Sequence, residues 1–197
     1  GERESQDESD SPAATLGAEA GNDAGSTAYG TVHVVGLGPG PDAWVTPEAS
    51  DVLGHVDHVI GYAPYVARVP QREGLTRLPS GNTVEVDRGR QALDLARAGH
   101  EVAVVSGGDA GVFGMAAAVF EAAESDPAYA AVPIHVVPGV TAAHAASALA
   151  GAVLGADHAL ISLSDRLKPW DVVVDRLRAC AQADLAMAFY NPRSASR

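Results

Sequence analysis

Residues 101–115 read EVAVVSGGDAGVFGM. A short apolar, β-branched run that ends in four closely spaced glycines reads as a buried strand delivering a turn, and residues 115–123 then carry helical composition. The pattern recurs on either side. TVHVV at 31–35 runs into GLGPG at 36–40, and IHVV at 134–137 runs into PGVTA at 138–142. Strands that alternate with helices predict βαβ units and a mostly parallel sheet, an α/β fold. In open sheets of this kind ligands sit outside the carboxyl ends of the strands, so the three glycine loops are candidates for a single site.

Working outward, Thr46 and Pro47 are cap and first-turn residues of a helix whose Ala49, Val52, Leu53 and Val56 repeat at i, i+3, i+4 and i+7. Residues 58–60 form a short strand, 63–84 read as irregular, and a helix over 87–98 is stopped by Gly99. Thr141 caps an alanine-rich helix to about residue 150. A strand at 158–163 follows, then a helix from Pro169 with Val173, Leu177 and Cys180 on one face. The last strand covers 185–190. The expected units are 1–28, an acidic disordered linker; 29–137, an N-terminal α/β domain; and 138–197, the start of a second α/β domain.

The 28 leading residues hold seven acids against one arginine and a single large aliphatic residue, Leu16. Such a segment cannot bury enough apolar surface to order itself. Because the chain starts with Gly1 rather than Met, it is expected to be cut from a longer protein, with this segment joining it to another domain.

The formal charge of −12 excludes a basic nucleic-acid-binding face. One cysteine allows no internal disulfide, and no apolar run reaches the roughly 18 residues that span a bilayer. No secretory signal is visible. A reduced, soluble, cytoplasmic setting without membrane or nucleic-acid partners is expected. The seven histidines show no metal-ligand spacing, so no metal site is expected.

GLGPG is not a dinucleotide fingerprint, since Pro39 follows Gly38 and the second strand ends in Gly61 and Tyr62 rather than an acid for a ribose hydroxyl. A P-loop is excluded because the only lysine, Lys168, follows no glycine. The glycines of 107–114 let backbone approach a ligand, and Asp109 can accept from a ligand amine or hydroxyl or cap a helix. An aspartate there argues against a phosphate cradle.

Taken together, GLGPG, SGGDAGVFGM and PGVTA, with TPEA at 46–49 and ISLSD at 161–165, resemble the tetrapyrrole methylase family. The resemblance covers residues 30–197. GYAPYV (61–66), SGNTVEVDR (80–88), ISLSDRLKPW (161–170) and FYNPRS (189–194) look like the branch that methylates C17 of a corrin precursor and contracts its ring in cobalamin biosynthesis. Gly107 and Phe113 depart from that branch's usual Ser and Tyr.

The resemblance implies two α/β domains with S-adenosylmethionine folded in the cleft between them and the tetrapyrrole alongside. By motif matching, Pro39, Gly107, Gly108, Asp109, Val112, Thr141, Ala142 and Asn191 would contact the cofactor. Bidentate arginine contacts suit the substrate's acetate and propionate groups, which makes Arg88, Arg166, Lys168 and Arg193 substrate candidates. Proton transfers during ring contraction could fall to Tyr62, Tyr65, Ser106, Ser162, Ser164 or Asp165, among which sequence does not choose. The resemblance also implies a homodimer, a second domain whose sheet continues beyond residue 190, and either a metal-free or a cobalt-containing substrate. A nicotinamide-dependent oxidoreductase and a non-catalytic domain of a fusion are the competing expectations.

Overall fold

A computed structural model of the chain describes residues 28–81, 85–164 and 168–193. The expectation for the acidic leader therefore lies outside the described residues up to residue 27, as do Asp165 and Arg166. Five strands, β1 (Val32–Gly36), β2 (His58–Tyr62), β3 (Thr76–Ser80), β4 (Val102–Ser106) and β5 (Ile134–Val137), form an all-parallel sheet in the order β3-β2-β4-β1-β5. A parallel sheet buried on both faces needs near-continuous apolar strands, and all five residues of β4 are buried.

Successive side chains point to opposite faces and fill two cores. On one side Val32, Val34, Ile60, Val102 and Val104 pack under α3 (Glu85–Arg97) and α4 (Ala116–Glu124). On the other, Val35, Val59, Ala103, Val105 and Val137 meet α1 (Pro47–His55) and α2 (Ala63–Val66). Thr46 caps α1, its Oγ1 accepting from Ala49 N at 3.1 Å.

Residues 63–84, expected to be irregular, contain α2 and the edge strand β3. The stretch TRLPS lacks the apolar alternation of a strand because only one side of β3 is paired; Leu78 is its half-buried apolar residue. Pro79 has no N–H to donate and is tolerated at such an edge.

After β5 come α5 (Ala142–Leu149), β6 (His158–Ser162), α6 (Trp170–Gln182) and β7 (Ala186–Tyr190). The strands β6 and β7 pair in parallel as a separate two-stranded sheet, Ser162 opposite Tyr190. On α6, Val173 is buried and Leu177 and Cys180 half-buried, which is the expected inner face.

Candidate functional site

The strands β4, β1 and β5 are neighbours, so their carboxyl ends bring the three glycine loops into backbone contact. Leu37 N donates to Ser106 O at 2.9 Å. Gly38 and Gly108 then exchange both of their backbone hydrogen bonds, at 3.0 and 2.8 Å, a two-residue antiparallel bridge between the first loop and the second. Both residues have left-handed backbone, φ +70° and +68°, which glycine alone adopts without steric cost. The third loop is tied in by Asp109, whose Oδ1 accepts from Gly139 N at 2.8 Å while Oδ2 accepts from Gly111 N at 2.8 Å.

The junction leaves no room for side chains. A Cβ built on Gly139 would lie 2.3 Å from Gly108 O, and one on Gly36 would lie 2.7 Å from the same oxygen. Gly108 differs. Its Cβ position would meet Thr141 Cα at 3.7 Å and Ala142 N at 3.8 Å, ordinary van der Waals contact, so a methyl-sized gap bordered by backbone lies between the second and third loops.

The second sheet closes on that gap through β7. The Tyr190 hydroxyl bonds the Thr141 hydroxyl and accepts from Ala143 N at 2.9 Å. Thr141 thus stands at the N-cap of α5 without making the expected side-chain cap; its hydroxyl is turned to Tyr190 instead. Next to Tyr190, Asn191 has φ +53° and donates through Nδ2 to Ser162 Oγ at 3.0 Å. Phe113 is also left-handed, at φ +52°, and its half-exposed ring lies 5.0 Å from that of Tyr190.

Of the cofactor candidates, Gly108, Asp109, Thr141 and Ala142 therefore meet at one gap. Pro39 follows Gly38 directly, Val112 is half-buried between Asp109 and Phe113, and Asn191 joins through Tyr190 and Ser162. Gly107 lies beneath the Tyr65 ring, which occupies the place of a side chain at 2.7 Å from the Cβ position. Tyr65 in turn meets Tyr62 edge to face at 5.6 Å.

Two candidates take other roles. Arg88 is only 4% exposed, and its guanidinium donates to Ser80 Oγ at 2.6 Å, to Gly81 O, and toward Met115 Sδ. Committed inside the fold, it is no solvent-facing clamp for a substrate carboxylate. Ser106 is buried and its Oγ accepts from Met115 N at 2.9 Å, so it anchors the far end of the glycine loop rather than standing free as a proton carrier. Ser162 accepts from Asn191 and from Ser164 N. Half-buried Lys168 and exposed Arg193 follow β6 and β7 at their carboxyl ends.

Sequence reasoning missed Arg68, which follows α2 and donates to the carbonyls of Leu37, Gly38 and Gly40. It also missed Tyr190. A concavity of about 350 Å³, lined by Leu37, Val45, Leu53, Arg68 and Arg72 among others, lies behind the first loop; one of about 460 Å³ sits on α3, away from the loops.

Among the described residues no group of three or more His, Cys, Asp or Glu is placed to hold a metal ion. The histidines are spread over the fold, His144 on α5 and His158 on β6 among them: His33 Nε2 meets Glu101 Oε2 at 2.8 Å, His135 Nε2 lies 3.4 Å from Glu48 Oε1, and the ring of His58 packs on His100 at 4.8 Å. Burial, with repulsion from His100, holds His58 below the usual imidazole range, partly offset by Asp57. Burial pushes Tyr129 up, helped by its hydrogen bond to Asp94. No described helix is long and apolar enough to cross a membrane.

Comparison with known proteins gives one consistent picture. The family model for tetrapyrrole (corrin/porphyrin) methylases matches residues 31–197. The cobalamin biosynthesis protein CobIJ of Mycobacterium bovis is 54% identical over 168 residues, 85% of this chain and 32% of that protein. A precorrin-3B C(17)-methyltransferase of a Sinorhizobium species is 47% identical over 169 residues, 85% of this chain and 66% of the relative. The crystal structure of the methyltransferase CobJ superposes with a TM-score of 0.84 at 54% identity, covering 85% of this chain and 70% of that one. The chain thus spans about a third of the length of CobIJ and about two thirds of the Sinorhizobium enzyme.

Proposed function

The chain belongs to the tetrapyrrole (corrin/porphyrin) methylase family, and from that premise we propose that it carries out methyl transfer from S-adenosylmethionine to C17 of precorrin-3B, with ring contraction, in cobalamin biosynthesis. The observation that carries this is the junction of three glycine loops, where Gly38 pairs with Gly108 and Asp109 holds Gly139. It leaves a narrow, backbone-lined gap beside Gly108 at the carboxyl ends of β4, β1 and β5. The Sinorhizobium relative named for the same methylation is 47% identical, and the motifs FYNPRS and ISLSDRLKPW support that branch.

The donor set suits the cofactor. The atoms nearest the Gly108 Cβ position are all backbone, and next to Gly108 in the chain Asp109 is an acceptor for an amine or hydroxyl, with apolar, half-buried Val112 three residues on. Pro39, Gly107, Gly108, Asp109, Val112, Thr141, Ala142 and Asn191 would hold it. S-Adenosylmethionine, when bound, supplies a methyl group already made electrophilic by its sulfonium. What remains for the protein is to align the attacking carbon and keep water out. In this proposal the site lies between the domain 29–137 and the unit that begins at Pro138. Tyr62 and Tyr65 would move protons in ring contraction, and Lys168 and Arg193 would meet the substrate's carboxylates.

The test uses the full-length protein that contains this chain. Calorimetric titration with S-adenosylhomocysteine should give tight binding where NADH gives none. Labelled methyl should pass from S-adenosylmethionine to precorrin-3B. Transfer only to the cobalt-containing counterpart would correct the substrate, and transfer to neither, with no homocysteine-nucleoside binding, would reject the proposal.

A further inference from the structure

We propose that Arg68 is the positioning residue of the methyl-donor site, a guanidinium clamp that sets the orientation of the Leu37–Gly40 peptides and hence of Pro39; the proposal rests on the gap at Gly108 taking S-adenosylmethionine. Arg68 donates through Nη2 to Leu37 O at 2.6 Å and to Gly40 O at 3.3 Å, and through Nη1 to Gly38 O at 2.9 Å. Those acceptors belong to consecutive turns of the loop that carries the first candidate cofactor contact.

The two peptide planes that flank Gly38 are each held through this arginine. In the Leu37–Gly38 peptide, the oxygen goes to Arg68 while the N–H goes to Gly108 O at 3.0 Å, so both ends of one rigid plane are fixed. In the Gly38–Pro39 peptide the nitrogen has no hydrogen, so the Gly38 oxygen is the plane's only polar handle. That oxygen accepts twice, from Gly108 N at 2.8 Å and from Arg68 Nη1 at 2.9 Å. Arg68 therefore holds the same carbonyl that ties the first loop to the second, the oxygen's two lone pairs serving one donor each.

The arginine is itself well placed to act as a fixed reference. Its N–H bonds Tyr65 O at 3.0 Å, and Val66 and Val69 on either side are buried. Three carbonyls spread over four residues suit a planar fork with five donors and not the single ammonium of lysine. Arg68 makes no ion pair among the described residues, so its hydrogen bonds are directed at the loop alone.

The experiment compares Arg68→Ala and Arg68→Lys with wild type in the full-length protein. Both variants should bind S-adenosylhomocysteine about tenfold or more weakly, since misplacing a binding group by an ångström has effects of this order. KM for the methyl donor should rise more than kcat falls, and millimolar guanidinium should restore part of the affinity to Arg68→Ala. Affinity within twofold of wild type in either folded variant would overturn the proposal. If Arg68→Ala does not fold, Arg68→Lys decides. Should wild type itself fail to bind S-adenosylhomocysteine, the methyl-donor assignment falls. Amide exchange at Gly38 and Gly108 then tests the clamp alone, and unchanged protection in Arg68→Lys would overturn it.

Discussion

Two glycines at the loop junction should respond to the same substitution in opposite ways. Gly139→Ala places a Cβ 2.3 Å from Gly108 O and 2.9 Å from Gly36 O, where real Cβ atoms do not come below 3.0 Å. Both neighbours are backbone, so neither can rotate away and the loops must part by about 0.7 Å. A separation of that size stretches the 2.8 Å bond from Gly139 N to Asp109 Oδ1 to the limit of a hydrogen bond, and weakens the Gly38–Gly108 pair. Overpacking costs about 1–3 kcal/mol and each of the three weakened hydrogen bonds about 1 kcal/mol, for a total of about 4–6 kcal/mol. The melting temperature of a domain of this size should fall on the order of 10 °C. In Gly108→Ala the nearest atom is 3.7 Å away, so the only cost to the fold is the left-handed φ of +68°, about 1–2 kcal/mol. In the proposed site its methyl nevertheless fills the gap beside the ligand, and affinity for S-adenosylhomocysteine should fall about tenfold or more, about 1.4 kcal/mol. Calorimetric melting and ligand titration on both variants separate the two effects. A folded Gly108→Ala protein with wild-type affinity would refute the site, and a Gly139→Ala protein as stable as wild type would refute the junction.

Tyr190→Phe removes the acceptor for Ala143 N at the start of α5 and should cost about 1–3 kcal/mol, read by thermal melting; an unchanged melting temperature would show that the hydroxyl does not hold the third loop. Arg88→Met should lower stability by about 2–3 kcal/mol through loss of the bonds to Ser80 and Gly81, yet leave substrate KM within twofold, whereas a large rise in KM would return Arg88 to the substrate site. His58 binds its proton at lower pH in the folded protein than in the unfolded chain, whose imidazole titrates near 6.5. Its contribution is therefore complete above about pH 6.5 and lost as pH falls below that value, so His58→Phe should flatten the acid side of the stability profile; an unchanged slope would assign the acid sensitivity elsewhere.

The strands that build the site were legible because their chemistry is one-dimensional. Val102 to Val105 are all buried, a continuous apolar run in the sequence, and Val32, Val34 and Val35 are buried too, with only His33 breaking theirs. The edge strand β3 has a neighbour on one side only and an interior proline, which leaves too little pattern to detect. The glycines were legible for a similar reason: a backbone that must pass within 3 Å of another excludes every side chain. Arg68 and Tyr190 were not, because their partners are backbone atoms 28 to 31 and 47 residues away, and nothing in a carbonyl's own residue type marks it as an acceptor. Arg88 carried a signal of the opposite kind. It stands at i, i+4, i+8 with the buried Ala92 and Ala96, so it lies on the inner stripe of α3, and its charge drew attention to solvent instead.

Asp109 illustrates how one side chain can serve both the fold and a ligand. A carboxylate offers about four lone-pair sites, and each oxygen of Asp109 spends one on a backbone N–H, of Gly139 and of Gly111. The remaining sites stay available to a ligand amine or hydroxyl at the gap beside Gly108. The two N–H bonds fix the carboxylate before any ligand arrives, so binding need not freeze its rotamers and the ordering cost is met in folding instead. The same bonds explain why the loop tolerates an acid at all. Two N–H donors hold the carboxylate in one orientation, where an unpaired aspartate among four glycines would be solvated and mobile. The architecture thus puts rigidity into the junction through Gly38, Gly108, Gly139 and Asp109, and of those three glycines only Gly108 has van der Waals room for a Cβ.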